Sequence, residues 1–506
     1  MTSSIGTVFH TVRYLRPVQV YRRLYRPRPS LPIVLDVSVR EPLGTWTQPI
    51  SRPSNQIANN RFRFLNQEHT IESWNDEELP KLWLYNLHYF DYPTADLIER
   101  WIRENPTGMG NGWEPYPLSI RIVNWIKWAI THAPINQAVL NSLQLQSEYL
   151  SQSLEYHLGG NHLLANAVAL TIAGLHFNGE PAQRWTQLGT NLLAGELDEQ
   201  ILSDGGHYER SPMYQAVLLE SLLDLINVSQ TLNPLLEVNR CSWRKCAGNM
   251  LGWLLKMTHP DGQIAFFNDC AFDVAPEPSE LLAYASRLGI EPPESPLSSS
   301  GYRRLSADET LALFDAGPVG PDHQPGHAHA DTLSFELSHR GRRVLVNSGT
   351  STYEKGLDRQ WQRGTAAHNT VRIDRLDQSE VWSAFRVARR AFPFDIRSDG
   401  KSFAEAAHDG YSRLSDPVVH RRRLEISRTE VIVTDQIEGR GRHIIELFFH
   451  FHPSAQPNIA LDPKLTKDVK PSHWYPQFNT SVPNTTVVGT WTGETPVQFK
   501  TVIPLS

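Results

Sequence analysis

The chain has 506 residues, 40% of them hydrophobic and 20% charged, with a formal net charge of −6. That length exceeds one ordinary hydrophobic core and predicts two large domains, while the acidic balance excludes a global basic field for nucleic acid and no apolar run is long enough to span a bilayer. The three cysteines form no CxxC pair and no finger spacing, which argues against a disulfide framework.

The basic, aromatic start over residues 1–30 lacks the uninterrupted apolar stretch of a secretion signal, so a cytoplasmic protein is expected; an arm lying on a membrane surface or on another domain is the alternative. The first three fifths read as helix. In "PLSIRIVNWIKWAI", Leu118, Ile122, Trp125, Ile126 and Ala129 fall on one helical stripe. "NHLLANAVALTIAGLHF" is apolar nearly all round and predicts a buried helix. "MYQAVLLESLLDLINV" and "CSWRKCAGNMLGWLLKM" add two more, with Pro and Gly between them. Successive helices of similar length suggest hairpins stacked into a bundle or toroid. A Pro/Ser-rich linker, "EPPESPLSSSG", follows at 291–301. Beyond it "TLSFELSHRGRRVLVNSG" reads as strand, tight turn, strand, and "RRRLEISRTEVIVTDQIEG" and "RHIIELFFHFHP" repeat the theme. The predicted architecture is α+β in two domains: an arm and first helices over 1–80, a helical domain over 81–295, and an antiparallel β-sandwich over 300–506. The groove between the two is the default ligand site.

Four patches concentrate polar residues where a simple core would not want them. "GGNHLLAN" places Asn161 and His162 at the start of a buried helix, where Asn161 is either a cap or a functional amide. "DGGHYERSPMY" gathers Asp204, His207, Tyr208, Glu209, Arg210 and Tyr214. Its Ser211-Pro212 reads as N-cap and first helical residue, which puts Tyr214 in the first turn, either as part of a capped helix or presented to a groove. "GHAHADTLSFEL" sets His327 and His329 one residue apart ahead of the alternation Leu333, Phe335, Leu337. On a half-buried strand the two histidines share a face and can serve a metal or a reaction. "RGTAAHNTVRID" brings Arg363, His368 and Asn369 into another strand.

These segments, with "LYNLHYFDY" (84–92), "GWEPYPLSIRIVNW" (112–125), "FFNDCAFDVAP" (266–276), "LVNSGTSTY" (345–353) and "DQSEVWSAFRVARRA" (377–391), resemble the heparinase II/III-like polysaccharide lyase family, in order over roughly residues 80 to 391. The resemblance implies an incomplete (α/α) toroid followed by a β-sandwich. It also implies eliminative cleavage of a uronic-acid-containing glycan, as in heparan sulfate and alginate lyases. Such a reaction removes a weakly acidic C5 proton beside a carboxylate, so it needs a neutral donor for that carboxylate, a base and an acid. By resemblance Asn161 matches the neutraliser, with His162 beside it. Tyr214 matches the catalytic tyrosine, as acid and with the base role open to it, and His327 is the base or the group that activates Tyr214. Tyr208 is the rival tyrosine. Tyr208, Glu209, Arg210, Trp113, Tyr116, Arg121 and Arg363 are expected to bind substrate, the arginines as carboxylate or sulfate clamps. Trp113, Tyr116, Tyr89 and Trp382 either stack on sugar rings or pack the core. Asn268 and Asp269 match a family motif without an assigned role.

In the family the second histidine of the HxH pair joins an aspartate and a later histidine around a structural zinc. The matching residues here are His329, Asn347 and His368, with asparagine in place of the aspartate. Asparagine is the poorer ligand. Either Asp331 or water completes the site, or the three residues form a hydrogen-bonded cluster without metal. Two other functions remain open. One is a hydrolase using Asp204 or Glu209 with Asp269. The other is a non-catalytic or biosynthetic polysaccharide-binding protein. The expected partner is an anionic polysaccharide, with a bacterial surface or exopolysaccharide favoured; the family suggests the cell envelope or periplasm as the alternative location.

Overall fold

A computed structural model describes residues 5–25, 29–30, 35–233 and 237–505. The reading of the basic arm at 1–4 and 26–28 lies outside the described residues. The helical domain is an incomplete toroid centred on the helix Gly160–His176, which is buried on nearly every residue and packs on Pro115–His132, Glu180–Gln200 and Pro212–Leu232. Its approach to Glu180–Gln200 depends on two glycines. A Cβ at Gly174 would stand 2.2 Å from Thr186 Oγ1, and one at Gly189 2.5 Å from Thr171 Oγ1. The stripe expected on Pro115–His132 is the buried one, and all five residues named for it are buried.

The first region is not purely helical. Before the toroid a small antiparallel sheet joins Gln56–Ala58, Arg61–Phe64 and Gln67–Thr70, with Phe62 and Phe64 turned into the core and the arginines outward. The alternation Arg-Phe-Arg-Phe is the period-two signal for it. The arm helices Ile5–Val12 and Pro17–Leu24 cross from toroid to sandwich: Arg16 pairs with Glu199, Gln19 Nε2 donates to the His323 carbonyl at 3.2 Å, and Trp382 Nε1 donates to Thr11 Oγ1 at 3.1 Å.

The Pro/Ser stretch is tied down by one carboxylate. Asp204 accepts from Ser298 N, Ser300 N and Ser300 Oγ at 2.9, 3.0 and 2.7 Å. After it an antiparallel sheet runs, edge to edge, Thr466–Trp474, Val482–Glu494, Arg442–Phe451, Arg342–Leu345, Phe335–His339, Thr310–Asp315, Tyr302–Ala307. It packs on a second sheet of Pro393–Ser398, Phe403–His408, Val418–Ile426, Glu430–Gly439 and Val497–Pro504. Val418–Ile426 alternates strictly between buried and half-buried residues, as a strand with one covered face does. Phe335–His339 does not: four of its five residues are buried, because the toroid covers its second face. The strand also starts later than its pattern suggests. Residues 327–334 are irregular, with Leu333 in the left-handed region at φ 64°, so His327 and His329 do not share a strand face.

Candidate active site

A cleft of about 1360 Å³ separates toroid and sandwich. Tyr116, Asn161 and Tyr214 each stand in the first turn of a helix, and all three line the cleft. Three helix N-termini therefore converge there, and their unpaired N–H dipoles favour negative charge. Two of the starts carry proline, and Ser211 caps the third helix by accepting from Tyr214 N at 3.2 Å. Asn161 is inside its helix, not capping it; the cap position belongs to Gly159. Its side chain lies beside the Tyr116 hydroxyl, while Oδ1 is buried without a partner. His162 follows, with Nδ1 3.1 Å from Glu155 Oε1 and its ring 4.5 Å from that of Tyr116. Burial opposes charging His162, but Glu155 outweighs it and raises its pKa.

From the sandwich side the His327 ring stacks on Tyr214, centroids 4.0 Å apart and 21° from parallel. Its Nδ1 hydrogen-bonds the buried Glu209 carboxylate, which leaves Nε2 as the nitrogen free for chemistry. Burial works against a charged Glu209, yet His327 holds it below the ordinary carboxylate range. The Tyr214 hydroxyl meets that of Tyr353 at 2.9 Å. Burial, then Tyr353 and Asp269, push the Tyr214 phenol well above 10, so it is protonated at neutral pH.

Behind this wall runs a polar seam. Asp269 takes both ends of the Arg359 guanidinium, Nη2 to Oδ2 at 2.7 Å, and accepts from His329 Nε2 at 2.8 Å. Asn268, in the left-handed region at φ 57°, donates from Nδ2 to the carbonyls of Glu209 and Arg210 and accepts from His329 N. It fastens the loop bearing Glu209 to the segment bearing His327. Tyr353 and Arg359 were missed in the sequence because their partners lie over a hundred and about ninety positions away, respectively, and no local period marks them.

Several expectations are corrected by packing. Trp113 is buried beside Trp101 and Tyr149, at 6.0 and 5.1 Å, and is core. Arg121 is fully buried over the Trp101 ring at 3.9 Å, and donates to Gln146 Oε1 and the His88 carbonyl. Arg363 is spent on the carbonyls of Ala328, Ser383 and Arg386. Arg210 is spent on those of Ser300 and Tyr208. None of these arginines faces the cleft as a clamp. Glu209 serves His327 instead of a ligand, and Tyr208 is buried behind the cleft wall. Trp382 holds the arm; Tyr89 and Tyr116 do line the cleft. The hydrolase pair is not available either, since Asp204 is consumed by the linker and Asp269 by Arg359 and His329.

The residues do not fit a zinc site. His329 Nδ1 and His368 Nε2 face each other at 3.3 Å, but Asn347 lies behind His368, its Oδ1 on His368 Nδ1 at 3.2 Å and its Nδ2 on the Phe266 carbonyl at 2.7 Å. Asp331 spends a carboxylate oxygen on Asn268 N. Among the described residues no three His, Cys, Asp or Glu side chains gather around one point, where zinc takes three or four.

Two family models match the chain: Heparinase II/III N-terminus over residues 66–277 and Heparinase II/III-like, C-terminal over 290–488. It is 24% identical to a heparin-sulfate lyase of Pedobacter heparinus, over 63% of this chain and 53% of the relative. It is 22% identical to one of Bacteroides thetaiotaomicron, over 72% and 58%. It is also 26% identical to FtsZ-localized protein C of Caulobacter vibrioides, over 62% and 56%. The chain thus aligns with little more than half the length of these relatives. A crystal structure of heparinase III superposes with a TM-score of 0.64 at 17% identity, covering 84% of this chain and 76% of that one, which is a likeness of fold.

Proposed function

The chain belongs to the heparinase II/III-like family, and from that premise we propose that it is a polysaccharide lyase cleaving a uronic-acid-containing glycan, such as a bacterial surface or exopolysaccharide, by β-elimination. The observation that carries this is the Tyr214–His327 stack with Glu209 behind it and Asn161 lining the same cleft. His327 Nε2 takes the C5 proton. The electron pair left on C5 forms the C4–C5 double bond as the C4–O bond breaks, and Tyr214 gives its hydroxyl proton to the departing oxygen. A phenol held above its ordinary pKa is suited to the acid role and not to the base role. Glu209 fixes the His327 tautomer and stabilises the imidazolium that forms, as a carboxylate does behind a general-base histidine. Charge building on the uronate carboxylate meets Asn161 and the three helix N-termini. If the Asn161 amide turns over, the Tyr116 hydroxyl donates to Oδ1 and Nδ2 is left for the carboxylate. No step needs a metal.

The test is ultraviolet absorbance of the protein with a panel of uronate polysaccharides, beside Tyr214→Phe and His327→Ala. A rise from the unsaturated uronate with one polymer, lost in both variants, supports elimination. A polymer that binds without any rise moves the chain to the binding or biosynthetic role.

A further inference from the structure

The cleft is lined by as many carboxylates as arginines and lysines, and most of its cations are already spent. Arg52 meets Glu220 and Lys127 meets Asp224, both at 2.6 Å; Arg390 meets Asp322 at 2.7 Å; Lys81 meets Glu114 at 3.0 Å. Asp273, Glu277 and Glu280 add carboxylates on the toroid side. A sulfate entering this wall has to break an existing pair or lie beside a carboxylate, and both are unfavourable. Arg386 and Lys355 differ. Both line the cleft, and among the described residues neither makes an ion pair. Arg386 sits in the short hairpin of Val381–Trp382 and Arg386–Val387, next to Phe385, whose ring centroid is 6.2 Å from His327 and 5.3 Å from Tyr353. Lys355 follows Tyr353 by two residues. The arginine and lysine without ion pairs are thus placed on the sandwich side of the cleft, in the segments that carry Phe385 and Tyr353 beside His327, with Glu354 the neighbouring carboxylate.

We infer that the cleft selects a uronan without sulfate groups, and that Arg386 and Lys355 are the counter-charges for its carboxylates. This rests on the lyase reading above. Few free cations suit a polymer with one carboxylate on a sugar, and the balanced wall discriminates against polymers of higher charge density.

The experiment compares one backbone with and without sulfate: heparosan against heparan sulfate and heparin, with hyaluronan, polyglucuronate and alginate beside them. Initial elimination rates are measured on the full chain, together with Arg386→Gln and Lys355→Gln. The expected result is cleavage of an unsulfated polymer, with kcat/KM on sulfated counterparts lower by about tenfold or more. Each variant is expected to raise KM by about tenfold with kcat nearly kept, the loss of a charge-assisted hydrogen bond made alike in ground and transition state. Sulfated polymer cleaved as well or better overturns the inference and leaves the lyase reading standing, as does an unchanged KM in both variants. Lys355 is exposed, so its variant reads out even if Arg386→Gln misfolds. Absence of elimination with every polymer removes the lyase reading. In that case binding by calorimetry decides the charge argument, and tighter binding of heparin than of heparosan overturns it.

Discussion

The cleft wall and the polar seam behind it share one short segment, residues 327–329, and hold their polar groups in opposite ways. His327 has one nitrogen fixed by Glu209 and the other left over; His329, two residues on, has Nε2 on Asp269 and Nδ1 against His368. Tyr214 keeps a hydroxyl toward Tyr353 and the cleft, whereas Asp269 has its carboxylate filled by Arg359 and His329. A group that must exchange protons is left incompletely partnered, and a group that must hold position is saturated. Partnering, more than residue type, separates the reacting residue from its support.

The seam breaks most severely. Asp269→Asn leaves the Arg359 guanidinium buried without a counter-charge and is expected to cost about 3–5 kcal/mol, read from denaturant melts. Asp269→Asn with Arg359→Met, which removes both charges, should recover much of that. If the single variant melts like the parent, the seam is not the support of the wall.

On the wall the expected loss is kinetic. Tyr214→Phe keeps the ring stack on His327 and removes only the hydroxyl, so stability should hold while kcat falls about a thousandfold, within the range of a lost general acid. Tyr353→Phe removes that hydroxyl's partner and should cost nearer tenfold. A Tyr353 variant as inactive as the Tyr214 variant would make Tyr353 the acid and Tyr214 its positioning group.

The wall was more legible in the sequence than the seam. Ser211-Pro212 announces a helix start, so Tyr214 could be placed in a first turn before any contact was known. Asn161 and His162 could be placed at the head of an apolar helix for the same reason. These are local signals. The partner of His327 is 118 positions away and the Asp269–Arg359 pair spans 90, and nothing in either neighbourhood encodes the pairing. Glu209 therefore read as a ligand contact. Trp113, Arg121, Arg210 and Arg363 read as binding groups for a related reason: residue type does not say whether a guanidinium meets a ligand or a row of carbonyls. The strand expected at "GHAHADTLSFEL" begins only at Phe335: residues 327–334 are irregular, with Leu333 in the left-handed region, so the alternation does not extend back to the two histidines.

Buried histidines away from both regions set the acid limit. Burial holds His176 down to about 4 and His88 to about 3, against an ordinary value of 6.5. The folded values lie below the unfolded one, so the unfolded chain takes up these protons first as pH falls. Stability is then complete above about pH 6.5 and falls as pH drops toward 4, by about 3 kcal/mol for each such histidine. Melting temperatures between pH 7 and 4 check this. A flat profile would mean that the toroid opens to water around these rings and is less rigid than the wall it supports.

The smallest expected effect is at the histidine pair, where exhaustive chelation should change neither melting temperature nor activity. Between His329 Nδ1 and His368 Nε2 an ion would find two protein ligands, and Asn347 is behind His368, occupied by that ring and by the Phe266 carbonyl. Two imidazoles are too few for a structural zinc, which draws its stabilisation from four ligands. The rings are held without it, His329 by Asp269 and His368 by Asn347, so removing a weakly bound ion leaves both in place. A melting temperature that falls on chelation and returns with zinc would show that a further ligand joins the pair. The contrast between saturated seam and unsaturated wall would then be one between metal-held and hydrogen-bonded groups. Metal content measured on the same samples decides between the two, because a hydrogen-bonded pair predicts zinc well below one per chain.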